Sequence, residues 1–346
     1  MPPTNERALT SGAEVAWPQR PAWRRHPLWR AFAIVAGITA VGLSTFYIIA
    51  RLRENLAQLG EWRLAPAPLP MVAAIVLTFL CIILGGMSWQ LVLGALGQRP
   101  SLRDCLRAQF LSNLGGYLPG YGWKFVGKGL LSRRFAQPGM VSAAVLIEFA
   151  SLAVTRLVVA LAIVPAAFGQ RLGVQPSWWH VALTRTLAIA LLVGFPWGLR
   201  GVATLVNGRR RGRRRLPEVH ARRLLAALAL MAFTWIIYGL GFALLVRAID
   251  PAITPGDAPM LIFGVTSSYL VSLLMFFVPA GLAIREGVVL LTLEHTLTPT
   301  LALAAAVLSR LVLLAAELVG AAIGALLREG RTSPSEAHNP SMTPKD

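Results

Sequence analysis

Apolar runs of twenty or more residues recur along this chain, at about 31–50, 71–96, 140–168, 180–199, 224–248 and 301–327. A helix needs about 20 such residues to cross about 30 Å of hydrocarbon. In lipid every backbone N–H and C=O has to be paired inside the protein, so these runs are helices. Composition agrees. Only 14% of the 346 residues are charged, where a soluble domain carries about 25%. The fold class is an all-α polytopic membrane protein with about six full spans and two inverted broken or re-entrant helical hairpins.

The hairpins come from two interruptions. Leu114–Lys128 reads LGGYLPGYGWKFVGK, and Met275–Gly287 reads MFFVPAGLAIREG. Each places Pro and Gly where a membrane helix should continue, at Pro119-Gly120 and at Pro279–Gly281. Each then supplies charge: Lys124 and Lys128 in the first, Arg285 and Glu286 in the second. Broken backbone is tolerated at membrane depth only where it is buried in protein or lines a polar cavity. One break in each half of a chain points to a transporter-like site built from half-helices. The competing reading is that these residues merely kink ordinary spanning helices, which carry Pro and Gly more often than soluble ones do.

A net charge of +18 invites a nucleic-acid reading, but the basic residues gather at the ends of apolar segments. The densest cluster, Arg209–Arg215, has no interleaved aromatics to stack bases. The positive-inside rule instead puts loop 200–223 and both termini in the cytoplasm, and the Arg and Ala bias of the composition points to a prokaryotic inner membrane. Loop 250–259, with two acidic residues and no Lys or Arg, faces outside. The crossings then balance only if 105–135 and 260–297 are hairpins entering from opposite faces. This divides the chain into a basic N-terminal segment (1–29), a transmembrane domain (30–328) and a disordered tail (329–346). Cys81 and Cys105 lack metal-ligand spacing, and no Walker loop or nucleophile elbow occurs. No metal or cofactor is expected.

Seven charged residues, Lys124, Glu148, Arg156, Arg285, Glu286, Arg310 and Glu317, fall in or beside predicted hydrocarbon. At about 2.5–3.5 kcal/mol each, lipid exposure of all seven would cost roughly 20 kcal/mol, more than a fold can spare. They therefore face inward and pair. Arg310 and Glu317 lie on nearly one helix face, about 10 Å apart along the axis. Glu148 and Arg156 are offset by less than a quarter turn, and Ser151 and Thr155 extend the face of Glu148. With Lys128 added, cations outnumber carboxylates, which favours a bound anion, and phosphate suits arginine best. The alternative is that Lys124, Lys128 and Arg285 snorkel to the headgroups. Trp178-Trp179 and Trp235/Tyr238 read as interfacial belt or packing residues. Gly85-Gly86 and Gly239/Gly241 read as close helix contacts.

These residues also carry a resemblance. The first half shows Asn113-Leu114 through Tyr117-Leu118-Pro119-Gly120, then Trp123, Gly127-Lys128, Leu130-Leu131 and Arg133-Arg134. The second shows Pro279, Gly281, Arg285-Glu286-Gly287 and the later Arg310. Together they resemble the flippase-like membrane family typified by the transmembrane region of lysylphosphatidylglycerol synthases, over about 30–328. Lys128 stands where that family typically has an arginine, and Phe149 where an arginine often follows its glutamate. The resemblance implies a lipid-translocating module without the soluble aminoacyl-transfer domain, and so not an enzyme. It would handle a phosphate-bearing phospho- or glycolipid in a polar cavity between the two hairpins. The candidate site is Asn113, Pro119, Gly120, Lys124, Lys128, Glu148, Arg156, Pro279, Gly281, Arg285, Glu286, Arg310 and Glu317. The alternative is a non-transporting accessory subunit of an envelope glycosyltransferase or lipid-modifying enzyme, docked through Arg209–Arg215. An intramembrane enzyme using Glu148 or Glu286 as a base lacks an accompanying nucleophile or metal constellation.

Overall fold

A computed structural model describes residues 66–117, 122–172, 177–209, 218–274, 284–293 and 296–327. The apolar run 31–50, Pro119-Gly120, Pro279–Gly281, most of Arg209–Arg215 and the tail lie outside the described residues. Among the described residues there are nine α-helices and no strand. They are α1 (Pro68–Ala95), α2 (Leu102–Asn113), α3 (Trp123–Ser132), α4 (Pro138–Leu172), α5 (Trp178–Arg209), α6 (Ala221–Ile249), α7 (Ala258–Leu274), α8 (Ile284–Leu293) and α9 (Pro299–Leu326). Short 3₁₀ turns follow α2 and precede α7.

Six helices are long and apolar enough to cross a membrane. Five of them, α1, α4, α5, α6 and α9, fall on the apolar runs of the sequence. The sixth is α7 with the turn before it, Pro255–Leu274. It is the first limb of the second broken segment, so that segment has one long limb of 17 residues and one short limb of 10.

The helices α1 and α6 pack along their length as the centre of the molecule, and they run antiparallel. The Ala67 N–H donates to Ala248 O at 2.8 Å at one end. The His220 N–H donates to Ala95 O at 2.8 Å, and Arg223 Nη1 donates to Gly94 O at 2.9 Å, at the other. The α2–α3 hairpin starts at the end where α1 finishes, and it returns there. The Gln137 N–H just beyond α3 donates to Gln98 Oε1 at 3.1 Å, and Trp89 Nε1 donates to Ser132 Oγ at 3.0 Å. The α7–α8 pair starts where α6 finishes, at the opposite end.

Packing partners occur in matched sets. α1 packs on α2 as α6 packs on α7, α4 packs on α7 as α9 packs on α2, and α4 packs on α6 as α9 packs on α1. The units α1–α4 and α6–α9 are therefore inverted repeats. The match reaches single residues. Gly86 and Gly239 are each the nineteenth residue of their helix, and each faces the fifth residue of the next one. A Cβ added at Gly86 would lie 2.6 Å from Leu106, and one at Gly239 would lie 2.6 Å from Ile262. Only glycine lets the two helices of each repeat approach so closely.

Two apolar clusters close the ends of the α1–α6 pair. One gathers Trp89, Val92, Leu93, Leu224 and Leu228; the other gathers Ala74, Phe242, Leu245, Val246 and Leu261. Thr78 of α1 and Thr234 of α6 lie between them.

Candidate functional site

Between the two clusters lies a cavity of about 150 Å³. On α1 it is lined by Thr78, Cys81, Ile82, Gly85 and Ser88, positions three and four apart and so on one helix face. The hairpin helices α2 and α3 supply Gln109, Asn113, Lys124, Phe125 and Lys128, and α4 supplies Glu148, Leu152 and Arg156. The far wall is Met231, Thr234, Trp235 and Tyr238 of α6, Tyr269 of α7, and Leu313 and Glu317 of α9.

The α2 helix starts cleanly because Ser101 caps it. Its Oγ accepts from the Asp104 N–H at 3.1 Å and donates to the Asp104 carboxylate at 2.7 Å. Four residues apart on this helix, Gln109 Nε2 donates to Asn113 Oδ1 at 3.0 Å. Both side chains are buried. Lys124 and Lys128, also four apart, share the cavity face of α3.

Lys128 is 1% exposed. Its ammonium forms an ion pair with Glu148 Oε1 of α4 and sits 5.1 Å from the centre of the Trp89 ring, a cation–π contact. Glu148 is equally buried, and its second oxygen has no hydrogen-bond partner among the described residues.

Arg156 is 3% exposed and lies two turns beyond Glu148, about 12 Å along the axis. Its Nη1 donates to the Tyr269 carbonyl at 3.1 Å, and its guanidinium carbon lies 4.5 Å from the Trp235 ring and 5.7 Å from the Tyr269 ring. Among the described residues it has no carboxylate partner, and its Nε has no acceptor. Tyr269 also receives Arg285, whose guanidinium carbon lies 4.1 Å from the ring while its Nη2 donates to Ser309 Oγ at 3.0 Å. The Tyr269 and Tyr238 hydroxyls are hydrogen-bonded at 2.8 Å. Glu317 of α9 is 7% exposed and lines the same cavity.

Of the residues singled out in the sequence, the structure thus brings Asn113, Lys124, Lys128, Glu148, Arg156 and Glu317 to one cavity, with Arg285 bordering it through Tyr269. Arg310 is half-buried on α9 and is not among the lining residues. Glu286 belongs to α8, but its side chain lies outside the described residues, as do Pro119, Gly120, Pro279 and Gly281. Repeat symmetry relates several of these positions. Lys124 and Arg285 are each the second residue of a short hairpin helix, and Arg156 and Glu317 are each the nineteenth of the long helix that follows.

Gln109, Trp235, Tyr238 and Tyr269 line the cavity and were not among the candidate site residues read from the sequence. Gln109 is a polar residue in a short segment too amphipathic to stand out. Trp235 and Tyr238 match interfacial packing residues equally well by composition. Tyr269, which holds both arginines, carried one usable signal: it is the lone tyrosine in the apolar limb leading to the second break.

The arrangement offers positive charge in a low-dielectric chamber, with three cations and two carboxylates in the lining. At about 10–15 Å³ per enclosed water, the space holds about ten waters. A family model described as the lysylphosphatidylglycerol synthase TM region matches residues 34–320. No curated protein matches the chain.

Proposed function

The chain belongs to the family of the lysylphosphatidylglycerol synthase TM region, and from that footing we propose that it is a flippase-like lipid transporter. A phosphate-bearing headgroup enters the cavity between the inverted hairpins, and its acyl chains stay in the bilayer. The observation that carries this reading is Arg156. It is buried mid-helix, with a carbonyl and two aromatic rings for company and no carboxylate among the described residues. An uncompensated cation at that depth costs about 2.5–3.5 kcal/mol, and a phosphate supplies the missing charge with the fork geometry guanidinium favours. Lys124, half-buried on the same cavity wall, adds a second contact.

The inverted repeat supports movement, because equivalent hairpins that enter from opposite ends allow a fixed site to be exposed to either side. Arg99, Arg103, Arg133, Arg134, Arg200, Arg222 and Arg223 gather at the end where α1 finishes and α6 begins, and the positive-inside rule makes that end cytoplasmic. We place the protein in a prokaryotic cytoplasmic membrane. It works without chemistry of its own.

The test is a headgroup-accessibility assay in proteoliposomes containing an anionic phospholipid. Wild-type protein moves the lipid across. Arg156→Gln, with folding checked by gel filtration and circular dichroism, moves it at least about tenfold more slowly, as loss of a charge-assisted hydrogen bond worth about 1.5–3 kcal/mol predicts. A well-folded Arg156→Gln protein working at the parental rate overturns the assignment. Wild-type protein that binds lipid and moves none points instead to an accessory, lipid-presenting role.

A further inference from the structure

We propose that the apolar run 31–50 docks along the seam between α9 and α1 and completes the first repeat as its opening helix. The repeat relation carries this, independently of the transport reading. Among the described residues α5 is the one helix without a counterpart, since α1–α4 match α6–α9. It packs on α4, the last helix of the first repeat, and on α6, the helix that follows it. Its Leu192, Phe195 and Leu199 pack against the cluster that holds Leu224 and Leu228 of α6. The run 31–50 precedes α1 in the chain as α5 precedes α6. The symmetry that carries α6 onto α1 and α4 onto α9 therefore carries α5 onto the α9–α1 seam.

Equivalent residues differ in burial where that helix would lie. Leu228 and Ile75 are each the eighth residue of their helix, yet Leu228 is 0% exposed and Ile75 is 42% exposed. Val158 and Val319 are each the twenty-first, at 7% and 54%. Pro165 is buried while Leu326, its counterpart as twenty-eighth residue, is 82% exposed. The uncovered positions lead from the last turns of α9 to the first turns of α1, as α5 leads from the end of α4 to the start of α6. The run suits that path. Arg24, Arg25 and Arg30 precede it and Arg328 follows α9, so the positive-inside rule puts its start on the same side as the end of α9. It ends at Ala50, and α1 begins at Pro68. Apolar surface alone gives helices little reason to associate in lipid, whereas small residues let them approach closely. Ala33, Gly37, Ala40 and Ser44 share one face of the run read as a helix. Exposed Ala315 and Ala322 share a stripe of α9 with Val319 and Leu326. The family match begins at residue 34 and so takes most of the run into the same domain.

The experiment places the photo-crosslinker p-benzoylphenylalanine at Val319, or separately at Ile75, in the full-length protein in nanodiscs, and maps the adducts by peptide mass spectrometry. Both side chains are exposed among the described residues, so the probe disturbs no packing described there, and either position alone decides the matter if the other variant does not fold. Val319 is expected to capture a peptide from the first half of 31–50, and Ile75 one from the second half. Leu291 of α8 is exposed like its counterpart Leu130 in the other repeat, and the probe placed there should capture no peptide of this run. Mixing isotope-light and isotope-heavy chains separates an adduct within one chain from one between two, and only adducts within one chain are expected. Lipid adducts alone at both Val319 and Ile75 overturn the proposal and leave the seam facing the bilayer. Peptides of a second chain overturn it in favour of an interface between copies. Capture of 31–50 from Leu291 as readily as from Val319 overturns it as well.

Discussion

Lys128 and Glu148 form the most deeply buried ion pair described in the molecule, and each is a liability without the other. Removing one partner of such a pair leaves an uncompensated charge in low dielectric and costs about 3–5 kcal/mol. Lys128→Met should therefore lower the melting temperature in detergent sharply, and so should Glu148→Leu alone. The double substitution should recover much of the loss, since two apolar groups of similar volume suit the same space. Additive losses in the double mutant would mean that the two residues are not coupled. Charge in an apolar run was readable from the sequence as a need for an inward partner, and six of the candidate residues do line one cavity. Which partner was not readable. Glu148 has Arg156 on its own helix two turns away, yet it pairs with Lys128 of a neighbouring helix, while Arg156 reaches across to Tyr269. Helical spacing reports neighbours on one cylinder and says nothing about the facing one.

At the scale of elements, the hairpins carry the account. Pro-Gly interruptions and charge parity were enough to predict that 105–135 turns back, and the hydrogen bond from Gln137 to Gln98 closes it at its starting end. The second segment was harder to read, because α7 is apolar over the full length of a span and only its successor α8 is short. On a background with Cys81 and Cys105 replaced, Gln137→Cys and Ala252→Cys, both at exposed positions, should react with an impermeant thiol reagent from opposite sides of the membrane. Gln137→Cys should label from the cytoplasm. Labelling of both from one side would contradict the inverted arrangement. The helix seams give a second check. Gly239→Val puts side-chain atoms where Ile262 already lies 2.6 Å from a Cβ, and overpacking of that kind costs about 1–3 kcal/mol. Gly86→Val should destabilise to a similar extent against Leu106, because the two seams are equivalent. A thermal melt that moves with one substitution and not the other would break that equivalence.

Over the whole molecule, the two repeats share a backbone plan and divide the chemistry unequally. Where the first repeat places Arg156, the second places Glu317, and where the first has Glu148 to pair with Lys128, the second has Ser309 bonded to Arg285. The first repeat thus leaves two cations, Lys124 and Arg156, on the cavity, while the second contributes the carboxylate Glu317. This asymmetry was beyond the sequence, since internal similarity shows only as weak hydropathy symmetry until the helices are superimposed by their contacts. It also makes one location decisive. A structure of the full-length protein in nanodiscs rich in phosphatidylglycerol should show phosphate density inside the cavity, within hydrogen-bonding distance of the Arg156 guanidinium, with acyl density leading out to the bilayer. A cavity holding only water, with every ordered phosphate in the headgroup planes, would contradict the account.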